Sequence, residues 1–489
     1  MKTHLARFGK QTVIYGVSAA MIPAVALFTL PVFARAFVPA EYGAIEIVTV
    51  GMAALLMLAD LGMVSAAQRS YYDYTDEQLT QRRVVLSTAG LVSLATATVL
   101  AALLIALRRP IADWLFDGRP HTTLVVLAAL CLPPAIIATY CRQVMRLRFQ
   151  AWHYTASAVL AAIVSAVLGV GLVVGTDVGV DGVLIGVLAG HAVAVVYGLA
   201  VTGRHIGLRL SRVELGVMLR FGLPIVPAAA ALWGLSFLDR LMLSRLADLA
   251  EVGQYAVGAR FALVLTLAVT AVGLAYGPLA LELYAEDPEA EKRVRSYALT
   301  YLTIGLTSLS VLLALFAREL VTVIAPGYER AYRVVGILCV GVTIFGLSSI
   351  TMAGISFARR TGYFAVYSAI ALVVNVALNF ALIPPLGGYG AALATAGAFT
   401  LLTVLYYRKS QALYPTPFRP AKSLIVLAAG AALMPFGFLP LGLAAVALKV
   451  AALLAFAVLV VCVVLDRPER MELCGVARRF SRRLATGLG

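Results

Sequence analysis

Charge is what this sequence has least of. Asp, Glu, Lys and Arg make up 13% of its 489 residues, about half their share in soluble domains. With 62% hydrophobic residues and a mean hydropathy of +0.94, such a chain cannot surround a core with solvated side chains, which excludes a soluble fold. Its five cysteines, Cys131, Cys141, Cys339, Cys462 and Cys474, form no CxxC or Cys/His cluster. That excludes a disulfide framework and a zinc site and leaves them as small apolar residues. No connection between apolar runs exceeds about 17 residues, so no soluble catalytic domain is inserted, and no DxD motif marks a nucleotide-sugar site. A membrane glycosyltransferase or polysaccharide polymerase is the weaker reading for that reason, and the chain is not expected to be an enzyme. No cofactor or metal is called for.

What is present is a series of long apolar runs. Residues 1–37 imitate a signal peptide, with Lys2, Arg7 and Lys10 ahead of an apolar stretch and Ala34-Arg35-Ala36 behind it. The stretch is about 22 residues, too long for a secretory core, and reads as a first membrane helix. Windows of about 19 residues place fourteen helices, at 12–33, 44–67, 84–107, 122–141, 155–175, 182–202, 221–243, 255–279, 297–316, 334–357, 363–383, 389–407, 423–439 and 441–465. The expectation is an all-α polytopic membrane protein with two pseudo-symmetric six-helix lobes, 1–203 and 221–407. A linker at 204–220 joins them, and a helix pair at 408–465 and a basic tail at 466–489 follow.

Lysine and arginine fix the expected orientation. Of the 39 in the chain, 28 fall in alternate connections and termini, and only eight on the other side: Arg35, Arg108, Arg109, Arg119, Arg245, Arg318, Arg330 and Arg333. Both ends are therefore expected on the cytoplasmic side of a bacterial inner membrane. The net charge of +15 is accounted for by topology and anionic headgroups, with no nucleic-acid footprint. In the tail, Val476, Phe480 and Leu484 lie opposite Arg478, Arg479, Arg482 and Arg483, the pattern of an interfacial amphipathic helix or of a disordered basic tail.

An internal repeat runs beneath these spans. Arg35, Ala40, Glu41 and Gly43 recur 210 residues later as Arg245, Ala250, Glu251 and Gly253. "GVDGVL" at Gly179–Leu184 similarly corresponds to "GGYGAAL" at Gly387–Leu393. An even number of helices per repeat keeps both halves in one orientation, related by an axis along the membrane normal, the arrangement of a secondary transporter.

Several stretches carry a resemblance: "FGLPIVPAAAALWGLSFLDRLMLSRLADLAEVGQYAVGARFA" (Phe221–Ala262), "FVPAEYG" (Phe37–Gly43), "LGMVSAAQRSYY" (Leu61–Tyr72) and "LNFALIPPLGGYGAALAT" (Leu378–Thr395). They resemble polysaccharide-biosynthesis flippases, the Wzx-type members of the multidrug/oligosaccharidyl-lipid/polysaccharide exporter superfamily, over nearly the whole chain. The resemblance implies alternating-access translocation of a polyprenyl-diphosphate-linked oligosaccharide. Its implied partners are membrane lipids and the glycosyltransferases and polymerase of surface or exopolysaccharide synthesis. Lipid II flippases of this superfamily are known for arginines from the first two helices; here residues 12–33 carry no charge, which favours a capsule, O-antigen or exopolysaccharide unit. A cation-coupled multidrug exporter of the same superfamily is the alternative, and a transport-inactive scaffold a further one.

Polar residues inside the spans are the candidate site, because an ionised side chain at mid-bilayer costs about 2.5–3.5 kcal/mol on insertion scales. Asp239 and Arg240 are adjacent, roughly 27 Å along their helix and so near the outer surface. Projecting about 100° apart, they are not expected to pair with each other. Asp239 is expected to bond Arg260 or Arg35 across the lobes as an outer gate, or to form a static salt bridge. Asp60 is a candidate for proton or sodium coupling, or a packing residue. For an anionic diphosphate, Arg69 and Arg220 at the inner mouth and Arg260 in the eighth helix are the expected contacts, with Asn375 for sugar hydroxyls. Anchoring of Arg69 and Arg220 and interhelical bonding of Asn375 are the plainer alternatives. His191 reads as structural, Lys449 as snorkelling or phosphate-binding, and the span prolines Pro23, Pro31, Pro133, Pro134, Pro224, Pro227 and Pro278 as bends or hinges.

Overall fold

The computed structural model describes residues 16, 21, 23–75, 77–116 and 121–464. The basic tail, Lys2, Arg7, Lys10 and Arg119 lie outside the described residues. A short apolar helix, α1 (Pro23–Ala36), opens the described chain. The next span is split into α2 (Pro39–Asp60) and α3 (Met63–Tyr72), because Leu61 and Gly62 both take left-handed φ, 51° and 73°. The first half continues with α4 (Leu79–Ala106), the short α5 (Arg108–Phe116), α6 (Thr122–Leu147), α7 (Ala151–Gly175) and α8 (Asp181–Thr202). A connection then leads through α9 (Arg212–Gly222) into α10 (Val226–Leu246). The second half holds α11 (Leu249–Glu286), α12 (Pro288–Leu315), α13 (Ala317–Ile324), α14 (Tyr332–Thr351), α15 (Ala353–Phe357), α16 (Gly362–Leu386) and α17 (Gly388–Leu413), and α18 (Pro420–Leu433) and α19 (Leu443–Leu459) close the described chain. Thirteen described helical segments are long and apolar enough to cross a membrane, besides α1. The all-α polytopic architecture with about fourteen spans is the observed one.

Boundaries shift where polar residues extend a helix beyond the apolar window. The expected span 255–279 is the 38-residue α11, about 57 Å at 1.5 Å per residue, well beyond a bilayer core of ~30 Å. Its start is set by Asp248, whose carboxylate accepts from the Glu251 backbone N–H at 2.7 Å. Asp287 alone separates α11 from α12; its carboxylate accepts from the N–H groups of Glu289 and Ala290 at 3.1 and 3.0 Å, an N-cap that starts the new helix nine residues before the expected 297.

Small residues make the close helix crossings, as expected where lipid supplies no hydrophobic drive between helices. A Cβ on Gly186 of α8 would stand 2.6 Å from Gly169 N and Ser165 O of α7, and one on Gly190 would stand 2.5 Å from Ala161 O. The same device joins the two halves. A Cβ on Gly43 of α2 would meet Leu249 O at 2.0 Å, and one on Gly253 of α11 would meet Pro39 O at 1.9 Å. Gly43 and Gly253 are repeat equivalents 210 residues apart, and so are Pro39 and Leu249. The contact is thus reciprocal, each half presenting the same glycine to the same backbone position of the other.

Candidate functional site: a charged seam between the halves

One turn further into the fold from this glycine crossing, four ionisable side chains meet. Glu46 lies seven residues into α2, Arg240 six residues before the end of α10 and Arg260 eleven residues into α11, so each stands about 9 to 17 Å from the arginine-poor end of its helix. Arg240 Nε is 2.8 Å from Glu46 Oε1, an ion pair out of line for a hydrogen bond. Its Nη1 is 3.2 Å from Asp239 Oδ1 and donates to Ser236 O at 2.8 Å. Arg260 Nη2 donates to Glu46 Oε2 at 3.1 Å and also bonds the Tyr42 phenol. Glu46 therefore holds one arginine on each carboxylate oxygen and links the first half to two helices of the second.

Asp239 is fixed from the other side. Its Oδ2 accepts from the hydroxyls of Tyr255 and Thr395, the latter at 3.1 Å, and its Oδ1 from the Arg240 backbone N–H at 2.8 Å. Both carboxylates are nearly sealed, with Asp239 1% and Glu46 7% exposed. Two anions and two cations leave the cluster neutral, which is what makes it tolerable at that depth. The Arg240 guanidinium also lies 5.3 Å from the ring centroids of Phe237 and Tyr255. Arg260 keeps 28% of its side chain accessible, the most of the four.

The sequence reading differs from this in two respects. Asp239 and Arg240 do pair, although helical neighbours project apart, because the long arginine arm folds back across the turn. Asp239 bonds neither Arg260 nor Arg35: Arg260 is taken by Glu46, and Arg35 donates to Val323 O at 3.2 Å. The residue passed over is Glu46. It is a carboxylate inside an expected span, the same signal that drew attention to Asp60, but it lies only two residues from the expected start of that span.

The other sequence-selected residues are placed apart from the seam. Asp60 sits at the Leu61–Gly62 break, where its Oδ1 accepts from the Val64 N–H at 3.2 Å and from the Tyr140 phenol at 3.5 Å; it restarts the helix as α3. Asn375 is fully buried on α16 and accepts from Asn379 Nδ2 at 3.0 Å. Lys449 is fully buried on α19 with Nζ 2.7 and 2.9 Å from the Glu319 carboxylate oxygens. His191 is half-buried on α8, and Pro133 and Pro134 lie within α6 without ending it.

At the arginine-rich end, α3 meets α9. A Cβ on Gly62 would stand 2.4 Å from Gly222 O, and exposed Arg69 lies 4.6 Å from the Phe221 ring centroid. The Tyr74 phenol donates to Glu214 at 2.5 Å, and that bond pushes the phenol above its ordinary range. Arg220 is exposed on α9 beside this contact. The structure thus brings Arg69 and Arg220 to one end and Arg260, Asp239 and Arg240 to the other. Among the described residues no cluster of His, Cys, Asp and Glu could hold a metal ion.

The fold is similar to that of the lipid II flippase MurJ in an inward closed conformation, with a TM-score of 0.74 at 14% identity over 91% of this chain and 98% of that one. It is also similar to an inward-facing multidrug resistance MATE family transporter of the MOP superfamily, with a TM-score of 0.67 at 14% identity over 80% and 94%. An outward-facing MATE family transporter of the MOP superfamily gives a TM-score of 0.53 at 18% identity over 83% and 95%. No curated protein sequence matches the chain. The family described as "Polysaccharide biosynthesis protein" matches residues 8–283, more than half of the sequence, and the chain belongs to that family.

Proposed function

We propose that the chain is a flippase that carries polyprenyl-diphosphate-linked oligosaccharide units across the bacterial inner membrane by alternating access, for surface or exopolysaccharide synthesis. The arginine-rich end then faces the cytoplasm, with both termini there. The observation that carries this reading is the Glu46–Arg240–Asp239–Arg260 cluster: a buried network of ion pairs joining the two halves near the arginine-poor end, in a fold shared with a lipid II flippase.

Such a seam is a gate with a built-in trigger. Ion pairs at this separation are worth about 4 kcal/mol each before desolvation, at an effective dielectric constant near 20, enough to hold one state closed. A diphosphate competes with a carboxylate for a guanidinium because it offers more oxygens and more charge. Arg260, the most accessible of the four, is the arginine it reaches. Taking Arg260 from Glu46 unbalances the seam and favours its opening toward the far leaflet. Arg69 and Arg220 receive the headgroup at the cytoplasmic mouth. Asp60 is the coupling group: a proton on its carboxylate weakens the bond to Val64 N–H and loosens the break between α2 and α3. Glycosyltransferases supply this substrate and a polymerase consumes the product.

The test is leaflet translocation of a fluorescent polyprenyl-diphosphate sugar in proteoliposomes. The expected result is translocation by the wild type, falling about tenfold or more in Arg260→Gln. Efflux of lipophilic cations without movement of the lipid-linked sugar would overturn the reading in favour of a multidrug exporter.

A further inference from the structure

The second half carries a cleft that the seam does not use, walled by α12, α14, α17 and α18. α18 presses on α12, where a Cβ on Gly430 would stand 2.4 Å from Thr307 Cγ2. It meets α14 through the turn Met434–Phe438 that ends it. The space left between them is an apolar cavity of about 540 Å3, which opens to the lipid-facing surface past Val404 and Leu424, 46% and 63% exposed. A second cavity of about 290 Å3 continues it toward the arginine-poor end, since Val340, Ala431 and Met434 line both.

Polar groups interrupt this wall at definite depths. Arg333, the second residue of α14, lines the smaller cavity beside Tyr332. Its guanidinium lies 6.0 Å from the Tyr332 ring centroid, and that of Arg318 lies 5.4 Å from the same ring. Thr307 and Ser310 of α12 line the larger cavity, 3% and 1% exposed, and neither hydroxyl has a hydrogen-bond partner. A hydroxyl on a membrane helix can bond the carbonyl one turn back, as Thr303 does with Leu299 O at 2.7 Å. For Ser310 that acceptor is Leu306 O, which takes the Thr343 hydroxyl at 3.4 Å. Thr351 Oγ1, the third hydroxyl on the wall without a partner, ends α14 at the opposite mouth. No carboxylate lines either cavity among the described residues.

Ser310 and Thr307 lie five and eight residues before the end of α12 at Leu315, about 8 and 12 Å in from the arginine-poor end. From that end inward the order is therefore cation, hydroxyl donors, apolar cleft. A glycerophospholipid has the matching order of phosphate, ester carbonyls and acyl chain. We infer that this groove binds one glycerophospholipid from the leaflet at the arginine-poor end. Arg333 holds the phosphate, Ser310 and Thr307 donate to the ester carbonyls, and an acyl chain runs along α14. A polyprenyl chain has no oxygen below its phosphate and would leave both buried hydroxyls unpaired, at a cost. The lipid is thus a resident ligand of the second half, and its binding does not depend on which substrate the chain carries.

The experiment titrates the full-length, lipid-stripped protein in detergent with ester-linked phosphatidylglycerol, its ether-linked analogue or polyprenyl monophosphate, and native mass spectrometry reads bound lipid. Groove binding is the part removed by Ala431→Phe, which fills the cleft from an exposed position that lines both cavities. Wild type should bind the ester lipid about tenfold more tightly than the ether analogue, which lacks the carbonyls. In Ser310→Ala/Thr307→Val the two lipids should bind equally, a result that general damage to the fold does not produce. Arg333→Gln should weaken both by about tenfold, whereas Arg109→Gln, which removes an exposed charge at the same end of the first half, should change neither. Equal binding of ester and ether lipids by the wild type, tighter groove binding of polyprenyl monophosphate, or no binding removed by Ala431→Phe would overturn the proposal. Should the double variant fail to fold, the comparison of ester with ether lipid in the wild type decides alone.

Discussion

The two halves of this chain share a backbone plan and divide their charges differently. At the crossing of α2 and α11 they are interchangeable: Gly43 meets Leu249, and Gly253 meets Pro39. One turn deeper the equivalence ends. Asp239 and Arg240 answer to Thr29 and Leu30, Arg260 to Val50, and Glu46 to Ala256. The glycine contact is duplicated, whereas the charges are not: each charged member of the seam has an uncharged equivalent in the other half. Duplicated backbone contacts with complementary charge give a seam fixed in register and held by ion pairs, the part that the proposed gating would switch.

Three substitutions break this comparison in turn. Gly253→Ala should act most strongly, because its Cβ would meet a backbone oxygen at 1.9 Å with no side chain able to move aside. A loss of about 4 kcal/mol or more is expected, read as lowered melting temperature and poor recovery from the membrane. Retention of wild-type stability would show that the halves are not in backbone contact. Glu46→Gln leaves two arginines facing one carboxylate and should weaken closure by about 3–5 kcal/mol. The readout is faster thiol labelling of Leu249→Cys beside the seam. Adding Arg260→Gln restores neutrality and should slow the labelling again; if it does not, charge balance is not what holds the seam. Tyr255→Phe removes one donor from Asp239, whose Oδ2 keeps Thr395, and should cost about 1–3 kcal/mol. Combined with Glu46→Gln its effect should be less than additive if both act on one network.

The fold was legible because long apolar spans and alternating arginine counts are properties of single stretches, and the 210-residue repeat announced the duplicated halves. Part of the seam was legible too: Asp239, Arg240 and Arg260 are conspicuous in apolar helices. Their pairing was not. Glu46 stands close to the expected edge of a span, where a charge costs little and attracts no notice, and only the crossing of α2 with α11 brings it between two arginines. Asn375 shows the converse. It is conspicuous at mid-depth in sequence, yet the packing of α16 on α10 and α17 buries it with Asn379.

The single residue between α11 and α12 has a mechanical consequence. Asp287 both closes the first helix, through its N–H to Leu283 O at 2.8 Å, and caps the second. A hairpin joined this way has no slack, so if Arg260 changes partner as proposed, the resulting swing of α11 would be handed directly to α12, as one arm of a crank drives the other.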